Sequence, residues 1–304
     1  MPVYNGARFV ARAVESVLRQ TYPDIELVIV NDGSPDDSAD VIRPYLGDPR
    51  VKYVEQANAG VAAARNRALR EASGELVGLI DQDDVWLPGK VARQVQLLAA
   101  HPDVALVHCE ALPIDDNDRL LAAHTWHAGD APRSGYADIF MGNPIRACTA
   151  LFRRDAAVAA GGFDPDPAIN FADEYDLWLR IARSSDVLYD ARPLAHYRVH
   201  DANNSADKAV MVRATLAVLR KALRTQAEAA QRVGAGRIRE RFARLHLALY
   251  RAHARQHRRA AALAEWVRAF GTAPRVALWL SLSATDKARV LWYRRRLLDL
   301  VTKS

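Results

Sequence analysis

The stretch Gly78-Leu79-Ile80-Asp81-Gln82-Asp83-Asp84-Val85-Trp86 constrains this chain more than any other. An apolar run from Leu76 to Ile80 stops at three carboxylates within four residues. Apolar on both faces, the run reads as a buried parallel strand. Pro88 allows a helix to start near Gly89. The acids therefore stand where a buried strand ends, the edge at which open α/β sheets bind ligands. Like charges this close raise one another's pKa unless a cation neutralises them. Aspartates at i and i+2 suit a hard divalent ion that keeps positions open for phosphate oxygens. The competing reading is a solvated acidic turn that caps a helix, and the context of the rest of the chain argues against it.

Upstream, Val3 reads as the last residue of a strand, and Gly6 permits a tight turn. Phe9, Val10, Ala13, Val14, Val17 and Leu18 follow at helical spacing. Glu26 to Val30 is a second buried strand, ending in Asn31-Asp32-Gly33-Ser34. Asp36, Asp37 and Ser38 can cap a helix running through Tyr45. Val51 to Val54 is a short third strand. Asn58-Ala59-Gly60 then turns into a helix from Val61 to Ala72 that carries Arg65 and Arg67. Strands alternating with helices are the pattern of a doubly wound parallel sheet. Three strand ends then carry polar groups that converge on one edge: Tyr4/Asn5, Asn31/Asp32 and Asp81/Asp83. An aromatic can stack on a base, a carboxylate can accept from a base N–H, and a metal-held diphosphate fits between them. Neither GxxxxGK[ST] nor GxGxxG occurs, so any nucleotide is held without a phosphate-cradling glycine loop.

Named as they stand, MPVYNG, ELVIVNDGSPDDS, NAGVAAARNRAL and LIDQDDVW resemble, in order and spacing, the inverting family 2 glycosyltransferases of the GT-A fold. The resemblance continues through Ala160-Gly161-Gly162-Phe163-Asp164, the run Phe171 to Arg180, and His196-Tyr197-Arg198-Val199-His200. It covers roughly residues 1–205. It implies a doubly wound, mostly parallel α/β sheet flanked by helices, a nucleotide-sugar donor with a UDP-sugar favoured, and a divalent metal, Mn2+ or Mg2+. It also implies one in-line displacement with inversion. By this resemblance Tyr4 and Asp32 hold the base, Arg65 approaches the diphosphate or sugar, Asp81 contacts ribose or sugar, and Asp83 ligates the metal. Pro2, Asn5, Gly60 and Gln82 belong to the same donor-side motifs, and Asp84 supports the loop. His200 resembles a late histidine that completes the metal shell; its other reading is a turn residue before Asp201. For Arg65 the alternative is a surface helix arginine, and for Tyr4 a packed core aromatic.

The family pairs Glu-Asp ahead of an aromatic and Asp-Leu, and its Asp deprotonates the acceptor. Here the order is reversed: Asp173-Glu174-Tyr175-Asp176. Position assigns the base to Glu174 and residue type assigns it to Asp173; Glu174 is taken first and Asp173 second. Neighbouring acids would raise the pKa of such a carboxylate and make it a better base. Asp173 is expected to cap the helix Tyr175–Ala182 as well. Gly142-Asn143-Pro144 through Leu151-Phe152-Arg153 is expected, by analogy, to line the acceptor side, with His124, Trp126 and His127 as possible sugar contacts or ordinary loop packing. The absence of a QxxRW-type run argues for single addition rather than processive synthesis.

Charge divides the chain. Residues 1–200 carry a net −9 and residues 201–304 a net +15, within a total of +6. That division suggests a catalytic body, residues 1–205, and a basic α-helical region, 206–304. The tail shows 3.6-residue periodicity in Val210–Val233, Gly236–Arg255, Arg258–Phe270 and Asp286–Val301. Ala288 to Leu298 mixes arginines with Trp and Leu, which suits an anionic membrane surface beside a lipid-linked or glycan acceptor; a helical subdomain with a solvated basic face is the alternative. Cys109 and Cys148 read as core residues in a reducing compartment. With no basic-then-apolar start and no run long enough to span a bilayer, a cytoplasmic protein is expected, peripheral at the inner face of the membrane if the tail docks there. Nucleic acid has only charge to recommend it and is not expected as a partner. A catalytically impaired binding protein whose tail docks on membrane or nucleic acid is the competing function. A nucleotidyltransferase would need a glycine-rich basic loop that Val3–Arg8 does not offer. Were Met1 the true start, the first strand would hold about three residues, against a usual five or six.

Overall fold

The computed structural model describes residues 1–121, 132–201, 203 and 207–281. The expected helix 286–301, the basic run 288–298 and the residues His124, Trp126 and His127 lie outside the described residues. In chain order the first elements are β1 (Pro2–Val3), α1 (Val10–Leu18), β2 (Leu27–Asn31), α2 (Ser38–Ile42), β3 (Val51–Glu55) and α3 (Val61–Glu71). There follow β4 (Leu76–Gly78), β5 (Val85–Trp86), α4 (Lys90–Ala100), β6 (Leu106–Ile114), β7 (Arg133–Ser134) and α5 (Tyr136–Met141). The α/β body continues with β8 (Ala150–Arg153), α6 (Arg154–Ala159), α7 (Asp173–Ile181) and β9 (Val187–Arg198). Five helices come last: α8 (Lys208–Thr225), α9 (Ala229–Val233), α10 (Ala235–Arg255), α11 (Arg259–Thr272) and α12 (Pro274–Ser281).

β1, β2 and β3 form a parallel sheet in that order. All five β2 residues are buried because both faces are covered. Leu27 and Ile29 pack with Val10, Val14 and Val17 of α1, whereas Val28 and Val30 pack with Ala64 of α3. That split follows from the two-residue repeat of a strand. β1 is only two residues long, and Met1 prolongs its ladder, donating from its amine to Val28 O (2.8 Å) and accepting from Val30 N (2.9 Å).

The second sheet runs β4-β8-β6-β9-β5, with β7 beside β9. Here one expectation is corrected. Leu76 to Gly78 pairs antiparallel with β8, and its residues are only partly buried. Apolar periodicity reports burial and says nothing about the direction of the neighbour. Gly78 is required by packing: a Cβ there would stand 2.6 Å from the Trp86 ring. That ring is fixed by its Nε1 donating to Cys148 O at 2.8 Å. Residues 150–152, expected to line the acceptor side, instead form the buried strand β8 between β4 and β6.

Two compact units result. One comprises Met1–Ala206 with Ala217–Ala227; the other comprises Asp207–Leu216 and the helices from Glu228 onward. Within the second, Leu247, Ala269 and Ala277 bring α10, α11 and α12 together. Among the described residues no helix is long and apolar enough to cross a membrane. Both cysteines are free and buried.

Candidate active site

The ends of β1, β2 and β4 are tied together by hydrogen bonds. Gln82 accepts from Tyr4 N (2.7 Å) and donates to Tyr4 O (2.9 Å), which fastens the end of β1 to the acidic loop. Asn31 accepts from Ser34 N and donates to Tyr53 OH, and Ser34 Oγ accepts from Asn5 N. Asn5 adopts a φ of 53°, a left-handed turn that asparagine tolerates. Tyr4 is 46% exposed, so the packed-core reading of this ring does not hold. Pro2 is a strand residue opposite Val30, one step behind the site.

Asp32 is buried and organises the next loop. Its Oδ1 accepts from Gln56 Nε2 (2.7 Å) and Ala59 N (2.9 Å), and its Oδ2 from Gly60 N (2.8 Å). Gly60 needs a φ of 88° to present that N–H and open α3. A carboxylate offers about four acceptor positions, so one on Oδ2 remains open. Gln56 had no part in the expected site; only its place at the end of β3 could have pointed to it.

Arg65 is the hub. It is 6% exposed rather than a surface helix residue. Nη2 donates to Asp81 Oδ1 at 2.9 Å, and Nη1 to both Asp173 oxygens at 2.9 and 3.1 Å. Nη1 also stands 3.4 Å from Glu174 Oε2. One guanidinium therefore joins the acidic loop after β4 to the start of α7, whose Asp173 is 108 residues after Arg65 in sequence. Asp173 does not cap α7: the cap position is Ala172, which makes no side-chain bond, and the Asp173 carboxylate is turned onto Arg65. Glu174 keeps 16% of its side chain exposed. Burial, joined by the charge of Asp173 and opposed by Arg65, pushes its carboxyl up to about 8.

Asp83 Oδ2 lies 3.0 Å from His200 Nε2, and the two side chains are 20% and 12% exposed. Burial and then the Asp81 charge raise the Asp83 pKa, while His200 opposes. Asp84 is fully buried and accepts from Arg198 N at 2.9 Å, so it supports the loop from beneath. Its pKa stands well above the usual range, through burial and then the charges of Asp83 and Asp81. A carboxylate and an imidazole in contact beside two further acids fit one divalent ion, the chemistry this cluster needs for neutrality. Among the described residues no group of three or more His, Cys, Asp or Glu side chains is placed to hold a metal ion. His200 is a turn residue too, because its backbone N–H donates to Asn203 Oδ1.

Two supports were missing from the sequence reading. Arg198, 1% exposed, donates to Asp83 O (2.8 Å), Asp115 O (2.6 Å) and Asp118 Oδ1 (2.5 Å), bracing the acidic loop. Its two-residue spacing from His196 and His200 was the available signal. Lys221, on the part of α8 that belongs to the first unit, donates to Asp164 (2.5 Å) and Asp176 (2.8 Å). Arg180 also pairs with Asp176 and donates to Gly162 O (2.7 Å) and Ala160 O, and Asn66 exchanges two hydrogen bonds with Phe163. The loop 160–164 is thus pinned against α7, two residues from Glu174. Lys221→Met is expected to cost about 2–3 kcal/mol in urea unfolding, because it leaves Asp176 buried with one counterion fewer.

A parallel sheet with flanking helices, beside an acidic loop and followed by a helical region, is a GT-A-like architecture. The chain belongs to glycosyl transferase family 2, whose profile, described as "Glycosyl transferase family 2", matches residues 1–159. It is 31% identical over 209 residues to an uncharacterized glycosyltransferase of Rickettsia typhi, covering 67% of this chain and 64% of that one. It is 33% identical over 208 residues to another from Nostoc, covering 66% and 64%. The chain thus spans about 64% of the length of these curated relatives. Among solved structures, it resembles the mannosyltransferase PcManGT of Pyrobaculum calidifontis in complex with GDP-Man and Mn2+. That match has a TM-score of 0.63 and 23% identity, covering 97% of this chain and 78% of that one. It also resembles TarS of S. aureus in complex with UDP-GlcNAc, with a TM-score of 0.60 and 15% identity, covering 90% of each chain. At these identities the two structures speak for the fold.

Proposed function

We propose that this chain is an inverting, metal-dependent glycosyltransferase. It moves a sugar from a nucleoside-diphosphate donor, a UDP-sugar first, to a hydroxyl of a glycan or lipid-linked acceptor. It works by single addition in surface polysaccharide synthesis. The observation that carries the reading is the Arg65 bridge, which sets Asp81 of the donor loop and Glu174 at the start of α7 on one side chain. Two free, buried cysteines go with a reducing, cytoplasmic setting.

In this reading Tyr4 stacks on the base and Asp32 accepts from its edge. Asp83 and His200 would hold Mn2+ or Mg2+, which would supply positive charge beside the diphosphate. The acceptor hydroxyl oxygen attacks the anomeric carbon opposite the leaving group. Its proton passes to Glu174, the new C–O bond forms, and the bond to the diphosphate oxygen breaks, with the electron pair leaving on the nucleoside diphosphate. Glu174 is preferred to Asp173 as base because Asp173 is fully buried and doubly bonded to Arg65. A carboxyl raised to about 8 is also a stronger proton acceptor than an ordinary one.

Isothermal titration with UDP in Mn2+ and again in EDTA tests the donor site. Binding is expected only with metal, and Asp83→Ala is expected to weaken it by more than about 100-fold, since it removes a direct ligand. GDP and dTDP, titrated in parallel, decide the base. Absence of binding by every nucleotide in Mn2+ would overturn the reading.

A further inference from the structure

α11 turns apolar side chains to solvent. Leu263 is 62% exposed, Val267 56% and Phe270 40%, and these three fall on one helical face with Ala260. Soluble helices present the opposite pattern. Arg259 and Arg268 border the stripe on its two sides, both exposed. The one acid of α11, Glu265, is buried and bonded to His246 Nδ1 (2.6 Å) and to Arg268, so no free carboxylate faces outward from this helix. An open groove of about 580 Å³ between α10 and α11 adjoins the stripe, lined in part by Tyr250, Leu263 and Trp266. On α12, Leu278 is 55% exposed and Arg275 is exposed.

The kind of partner follows from charge and side-chain type together. Residues 228–281 contain eleven arginines and three glutamates. A second copy of this chain would bring two strongly positive helical units together, which like-charge repulsion opposes. A nucleic acid would use the arginines and leave the apolar stripe in water. An anionic bilayer uses both: leucine, valine and phenylalanine enter the acyl boundary, Trp and Tyr suit the headgroup level, and arginines meet lipid phosphates. We propose that the exposed face of α11, with the groove beside it, docks this chain on an anionic phospholipid bilayer. The surface is independent of the donor site and stands whether or not the chain transfers sugar.

Sedimentation of the full chain with phosphatidylcholine vesicles, with and without phosphatidylglycerol, tests this. The chain is expected to sediment with the anionic vesicles alone and to be released as salt rises. The triple variant Leu263→Ser, Val267→Ser, Phe270→Ser is expected to lose vesicle affinity by about tenfold or more while still binding UDP with Mn2+ as the parent does. Should that variant fail to fold, the pair Arg259→Gln and Arg275→Gln carries the test, with a several-fold loss expected. Three results would each overturn the proposal: equal sedimentation with neutral vesicles, undiminished binding by the folded variants, or a concentration-dependent dimer that the triple variant abolishes in a chain that ignores vesicles.

Discussion

Glu174→Gln is expected to lower kcat by about 10²–10⁴-fold while leaving metal-dependent UDP binding intact, because it removes the proton acceptor and touches neither Asp32 nor Asp83. Asp173→Asn is expected to hurt stability as well as turnover, since Asp173 carries two of the Arg65 hydrogen bonds. Near-full turnover by Glu174→Gln would end the assignment of Glu174 as base. The parent's rate should rise with pH through about 8, as the raised Glu174 carboxyl gives up its proton. Stability carries a second signature. The folded Glu174 holds its proton up to about 8, while the unfolded chain releases it near the ordinary glutamate value of 4.5. Over that window the unfolded state binds fewer protons, so the parent loses stability as pH rises. The glutamine variant lacks this loss. Its melting temperature should match the parent's in acid and exceed it increasingly up to about pH 8, levelling off above. A variant that is less active yet more stable in alkali separates a strained catalytic carboxylate from a merely structural one.

Arg65→Met is expected to be the most destabilising single change in the first unit, at about 3–5 kcal/mol by denaturant unfolding. The guanidinium is the shared hydrogen-bond donor and counterion of Asp81 and Asp173 and lies beside the Glu174 carboxyl, and removing it leaves Asp173 buried without its cation. Burial alone would lower the Arg65 pKa, yet the three carboxylates raise it well above the ordinary value. The sign against pH follows. Arg65 opposes the rise of the Glu174 pKa, so without it the folded Glu174 holds its proton to higher pH still; its share of the deficit grows as pH rises and vanishes in acid, where Glu174 is protonated with or without Arg65. Arg65→Lys keeps a charge but cannot fork between Asp81 and Asp173, and should fall between parent and methionine variant. A loss under about 1 kcal/mol in Arg65→Met would show that the acids find other partners.

Much of the site was legible because it is made of strand ends. An apolar run that stops at a polar group is a local signal, and Tyr4, Asp32, Asp81 and Asp83 each sit at such a stop. The helix starts at Val61 and near Gly89 also came from local rules, and both are observed to within a residue. Partner choice was not legible. Asp173 read as a helix cap because a sequence shows only its near neighbours; in the fold its carboxylate meets a guanidinium 108 positions away. His200 had two readings until the fold set it 3.0 Å from Asp83. Lys221 looked like one more cation in a basic tail, and only packing placed it against Asp164 and Asp176. The direction of the Leu76 strand belongs with these, since pairing depends on a chain segment some seventy residues later. By itself the sequence determined where the first strands and helices stop and which chemical groups stand at those stops, since periodicity, caps and turns act over a few residues. Tertiary structure alone decided which charges face each other, because a charge pair depends on distance in space, and nothing in local spacing encodes that distance.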